Sequence, residues 1–314
     1  MTKTRFGAAW NSAYLLLTFT ALFWAGNSII GRAAREFVPP IALSFWRWLL
    51  AFLLLLPLAW PHRGKDWPVL RRRRPILLLF GSFGIGAFNT LLYSGLQYTT
   101  ALNAMILSAA QPAMILVTGM LLFRDRTTRS QLLGILLSLV GVLIIVSRGV
   151  PEVLLGLRLN FGDALILLGG LLWSVYAVYL RKRPQVHPLS FLAATLFVGV
   201  FVVLPFYLAE LSRGRLIVPA PESWLTIAYV CLFPSLIAYL FYNRGVELIG
   251  SARTAQYLNI TPAFGAVLSI LLLGERPGLY HALGVILIAA GIFLAERRAR
   301  ANPEVPIRRG GPVS

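Results

Sequence analysis

The 314-residue chain is 58% hydrophobic and only 13% charged, with a mean hydropathy of +0.75 and a formal net charge of +18. Soluble domains carry roughly 25% charged residues, so a water-facing surface does not fit this composition and a lipid-facing one does. The basic excess does not point to nucleic acid, because Lys and Arg sit between apolar runs with no aromatic-interleaved face or binding fold behind them.

In chain order, apolar stretches predict ten helices, over residues 13–30, 41–60, 75–98, 102–123, 131–147, 161–180, 189–211, 224–242, 254–273 and 279–295. Each approaches the ~20 residues that a helix needs to cross a hydrocarbon core of ~30 Å. Lys3 and Arg5 ahead of the first stretch resemble a signal peptide. The run ends at Gly31-Arg32 without a cleavage site, however, and reads as a retained helix. It carries Trp24, Asn27 and Ser28. The second helix holds Arg47, the one basic residue deep within a predicted helix. Arg suits bidentate capture of a substrate carboxylate; the alternative is a structural residue partnered by a carbonyl or polar side chain.

The third helix has a polar stripe of Ser82, Gly86, Asn89, Tyr93 and Gln97 at helical spacing. Its run Gly81-Ser82-Phe83-Gly84-Ile85-Gly86 is no nucleotide loop, since it neither joins a strand to a helix nor carries a Lys-Ser/Thr pair. The fourth helix adds Asn103, Ser108, Gln111 and a mid-helix Pro112, and the fifth has Gly134 and Gly141 on one face, suited to close packing. The sixth offers Trp173 and Tyr176, and the eighth Ser235, Tyr239, Tyr242 and Asn243. The ninth offers Gln256, Asn259, Thr261 and Pro262, and the tenth Gly284 and Gly291. Pro112 and Pro262 are expected to kink their helices, and irregular backbone at membrane depth lines cavities. Residues 299–314 read as a disordered tail.

Lys and Arg fix the sides of the membrane. The termini and alternate loops carry 21 of them and the opposite loops 7, which puts both termini in the cytoplasm and requires an even number of spans. The halves are homologous. Shifted by 149 residues, Trp24 falls on Trp173, Arg32 on Arg181 and Pro39 on Pro188. Shifted by 150, Gly95 meets Gly245, Pro112 meets Pro262, Asp125-Arg126 meets Glu275-Arg276, Gly134 meets Gly284, and Gly141 meets Gly291. Five helices per half invert the second half relative to the first. The predicted fold is therefore an all-α integral membrane protein of ten transmembrane helices in two inverted five-helix repeats, 13–147 and 161–296, the architecture of secondary transporters.

The runs from Pro112 through Asp125-Arg126 to Gly141, and from Pro262 through Gly274-Glu275-Arg276 to Gly291, carry a resemblance to the drug/metabolite transporter superfamily, EamA type. Within it the chain is similar to bacterial aromatic amino acid exporters. The resemblance implies a multi-pass protein of the bacterial inner membrane that exports a small amphipathic molecule, such as an aromatic or other neutral amino acid. The expected substrate-binding residues are Trp24, Asn27, Asn89, Tyr93, Gln111, Trp173, Tyr176, Tyr239, Asn243 and Asn259. For each of them, bonding between helices is the competing role. A monomer suffices, and the oligomeric state stays open.

A proton-coupled multidrug antiporter is the main rival. The small multidrug members of the superfamily use a glutamate in the first helix, which here has no acidic residue. A membrane enzyme would need His and carboxylates at membrane depth, whereas His62, His187 and His281 lie in loops or at helix ends. Cys231 is the single cysteine, which rules out a disulfide framework or thiolate metal cluster; no metal or cofactor is expected. Asp125 and Glu275 read as structural pairs with Arg126 and Arg276. With no carboxylate or histidine between helix ends, facilitated export is expected, Glu247 being the alternative coupling residue.

Overall fold

The computed structural model describes residues 9–34, 37–99, 107–156, 160–273 and 278–299, and among these every regular element is helical. We label α1 (Ala13–Ala34), α2 (Pro40–Ala59), α3 (Arg74–Gly95), α4 (Gln111–Phe123), α5 (Arg129–Val146), α6 (Phe161–Tyr179), α7 (Pro188–Ser212), α8 (Pro221–Ile249), α9 (Thr261–Leu273) and α10 (Leu279–Ala299). Six described helices are long and apolar enough to cross a bilayer: Pro40–Arg72, Arg74–Gly95, Arg129–Val146, Phe161–Lys182, Pro188–Ser212 and Pro221–Ile249. Shorter apolar helices accompany them. Asn103, Glu275, Arg276 and the predicted tail beyond Ala299 lie outside the described residues.

Local chemistry sets the helix ends. Thr128 and Gln131 form a capping box at the start of α5, as Asn160 and Asp163 do for α6. Prolines open α2 and α7, where a missing N–H costs nothing. The N–H groups of Ile41 and Ala42 at the start of α2 donate to the Glu210 carboxylate of α7. The positive φ (84°) of Gly250 ends α8.

Large side chains such as Leu121, Leu225 and Leu279 stay exposed, which a lipid solvent tolerates and water does not. The contacts between helices repeat with the two halves of the chain exchanged. α1 packs on α8 and α9, α6 packs on α3 and α4, α2 faces α7, and α5 faces α10. In the α5–α10 seam a Cβ on Gly134 would lie 2.5 Å from the Gly291 carbonyl oxygen, and the reverse holds for Gly291. Gly141 and Gly284 are related likewise at 2.7 Å. These pairings run antiparallel.

Three differences from the sequence reading concern irregular backbone. Both α3 and α8 contain a π-helical turn, at Phe80–Ala87 and Cys231–Ile237, and the two overlap under the 150-residue shift. Pro112 and Pro262 do not bend a continuous helix. Each stands in the first turn of a new one, α4 after a turn at Ala110 and α9 after the 3₁₀ turn Leu258–Ile260 that follows Ser251–Tyr257. The basic stretch read as a loop folds into a short helix, Arg63–Arg72, beside exposed Trp60 and Trp67.

Candidate functional site

Five aromatic side chains converge where α1, α6 and α8 meet. Trp24 lies 5.6 Å from Trp173, 5.4 Å from Tyr242 and 6.1 Å from Tyr239 between ring centroids. Trp173 lies 5.0 Å from Tyr176, 5.2 Å from Tyr242 and 5.8 Å from Tyr239. Edge-to-face and tilted pairs of this kind contribute about 0.5–1.5 kcal/mol each beyond area burial. The rings touch one another, so in this conformation they fill the centre. Open space lies to one side, in an apolar groove of about 290 Å³ lined by Phe23, Gly26, Ile29, Tyr229, Phe233 and Leu268 among others.

The π-turns orient the cluster. A π-turn shifts the hydrogen-bond register and frees backbone acceptors. The Tyr239 hydroxyl donates to the Gly84 carbonyl (2.9 Å) and the Trp24 indole N–H to the Pro234 carbonyl (3.1 Å). Gly84 and Pro234 occupy equivalent positions under the 150-residue shift, and each is met by a side chain from the opposite half. Gly84 has to lack a Cβ because the Tyr176 ring occupies that space. The Tyr176 hydroxyl in turn donates to Asn243 Oδ1 (2.7 Å).

Arg47 is 2% exposed. Its Nε donates to Ser235 Oγ (2.8 Å) and an Nη to the Tyr93 hydroxyl (3.0 Å), and the guanidinium lies 4.4 Å from the centre of the Trp48 ring. Removing an ion from water costs several kcal/mol after relaxation, whereas a desolvated cation–π contact returns about 2 kcal/mol. Arg47 thus carries a charge that its neutral partners do not balance.

The structure brings together Trp24, Trp173, Tyr176, Tyr239 and Asn243, with Asn89 beside the Tyr239 hydroxyl and Tyr93 on Arg47. It does not join the other three to this cluster by any described contact. Gln111 Nε2 donates to the Gly170 carbonyl of α6 (2.9 Å). Asn27 Oδ1 and Asn259 Nδ2 are buried without hydrogen-bond partners. Tyr242, Trp48 and Ser235 belong to the cluster and were absent from the expected set. Tyr242 has a signal, three residues from Tyr239 on one helical face; nothing sets Trp48 apart within the apolar second helix.

The ion pairs join other residues. Asp125 does not pair with Arg126 as expected: it takes a bidentate bond from Arg181, with one arm at 2.7 Å. Glu247 is held between Arg183 (2.7 Å) and Arg244 (2.8 Å), and Arg244 also donates to Asn11. Thr99 and Asn160 share Asp163. Among the described residues no group of three or more His, Cys, Asp or Glu could hold a metal ion.

A model of the EamA-like transporter family matches the chain twice, over residues 11–147 and 160–297. An uncharacterized transporter of Archaeoglobus fulgidus is 31% identical over 90% of this chain and 97% of its own length. The uncharacterized transporter YyaM of Bacillus subtilis is 26% identical over 90% of this chain and 92% of its own. One crystal structure superposes with a TM-score of 0.76 over 93% of this chain and 99% of its own, at 18% identity, a likeness of fold alone.

Proposed function

The chain belongs to the EamA-like transporter family, a multi-pass membrane transporter and not an enzyme, and on that premise we propose that it exports small amphipathic metabolites, aromatic or other neutral amino acids, by alternating access. The carrying observation is the aromatic cluster between α1, α6 and α8, tied at both π-turns to the opposite half of the chain. Rings with a few amides and hydroxyls suit a substrate with an apolar body and a polar head. Ten spans in two inverted halves are part of this proposal. The exchanged helix contacts and the antiparallel glycine seam support it, and a site between inverted halves is where secondary transporters bind. The basic-residue bias supports an inner-membrane orientation with cytoplasmic termini.

The test is efflux from intact cells preloaded with a panel of labelled amino acids and cationic dyes. Faster loss of aromatic amino acids on expression, with dyes unaffected, is the expected result. Loss of dyes alone would favour the multidrug reading instead.

A further inference from the structure

We infer that Arg47 seats an anionic group of the transported molecule, so that the substrate class is amphipathic carboxylates, recognised by their apolar body and carboxylate rather than by an ammonium group. This rests on the transport reading above and narrows it. Among the described residues no carboxylate lies within salt-bridge distance of the buried Arg47 guanidinium. Its two hydrogen bonds go to neutral hydroxyls, one from α3 and one from α8, and use two of five N–H groups. A residue that only tied α2 to these helices could be a neutral amide, without the penalty of a buried cation.

The surroundings hold a donor in surplus. Trp48 Nε1 is buried with no hydrogen-bond partner. Trp48 lies against the guanidinium, and its ring is 5.2 Å from Tyr239. An indole N–H can only donate. A leftover donor beside a buried, uncompensated cation matches a group that brings acceptors and negative charge, which is what a carboxylate offers. Among the described residues the buried amide oxygen left over is Asn27 Oδ1, which has no described contact with Arg47, and the carboxylates that could meet an ammonium group are engaged elsewhere. Glu210 is engaged by the start of α2, Asp163 by Asn160 and Thr99, Asp125 by Arg181, and Glu247 by Arg183 and Arg244.

The experiment is equilibrium binding of phenylacetate, its neutral isostere phenylacetamide and L-phenylalanine to the purified protein in lipid nanodiscs, for the wild type, Arg47→Lys and Arg47→Gln. The wild type is expected to bind phenylacetate about 10-fold or more tightly than phenylacetamide, and L-phenylalanine no more tightly than phenylacetate. Arg47→Gln should erase the preference for the acid, and Arg47→Lys should keep part of it. Equal affinity of the wild type for acid and amide overturns the inference without any variant having to fold, and leaves the transport reading standing. Retention of the preference in Arg47→Gln, or much tighter binding of L-phenylalanine than phenylacetate, also overturns it. Failure of all three probes to bind would sink this inference and the aromatic-metabolite reading together.

Discussion

At Gly84 the space a side chain would need is already taken by the Tyr176 ring. Gly84→Ala is therefore expected to destabilise the protein by about 1–3 kcal/mol, as overpacking does, and to displace the Tyr239 hydrogen bond. Gly64→Ala, where nothing lies within 4 Å, should leave melting and flux unchanged. Equal melting temperatures for both variants would remove the steric argument. His187 offers a second test. Its ring stacks on His62 at 3.7 Å, and its backbone N–H donates to Asp66. Burial and, secondarily, His62 hold its pKa below the ordinary histidine value, against a smaller opposing pull from Asp66. The unfolded chain thus takes up the proton more readily than the folded one. The contribution of this contact is present above the unfolded pKa of about 6.5 and is lost as pH falls from there through the lower folded value. The melting temperature should drop on acidification, and less so in His187→Gln; an identical drop in both would assign the effect elsewhere. Much of the central cluster was legible residue by residue, since Trp24, Trp173, Tyr176 and Tyr239 stand out as bulky polar-tipped groups on repeat-related helices. The histidine stack was not, because it joins residues far apart in sequence through a short helix too polar to register as a membrane segment.

The α5–α10 seam shows how an element can be read and where reading stops. Glycines at seven-residue spacing announced a close-packed face, and the structure places Gly134 against Gly291 and Gly141 against Gly284. Gly291→Leu should push the helices apart, lowering the melting temperature in detergent, with Gly265→Leu on α9, where nothing lies within 4 Å, as the tolerant control. Comparable melting for the two would mean that the seam is not tightly packed in the membrane. The π-turns were invisible to sequence, because an i+5 bond leaves the apolar pattern of α3 and α8 nearly unchanged. Proline positions are legible but their effect is not: a proline at the first turn starts a helix without bending one. The bond between Asp125 and Arg181 is not legible from the repeat, although Arg32 and Arg181 are partners under the 149-residue shift. Pairing by adjacency favoured Arg126, whereas the fold brings α6 to the end of α4.

For the molecule as a whole, Asp125, Asp163, Glu210 and Glu247 are committed to arginines, helix starts or backbone donors, and the central cluster contains rings, amides and Arg47. Arginine side chains do not serve as proton carriers in proteins. Net flux is therefore expected to run down the substrate gradient and stop at equal concentrations in proteoliposomes, whatever pH difference is imposed. Accumulation against the gradient, abolished by Glu247→Gln, would instead assign coupling to the Glu247 cluster. The all-helical membrane class followed from composition; the packed state of the centre did not, because sequence marks which side chains are bulky and polar without showing whether they leave a cavity. The most direct test is counterflow of labelled L-phenylalanine into proteoliposomes loaded with the unlabelled compound, comparing the wild type with Trp173→Ala and Tyr239→Ala. Uptake by the wild type, reduced about 10-fold or more in both variants while their melting temperatures show them folded, is the predicted result. Wild-type uptake matched by both variants would contradict a transport site at the aromatic cluster.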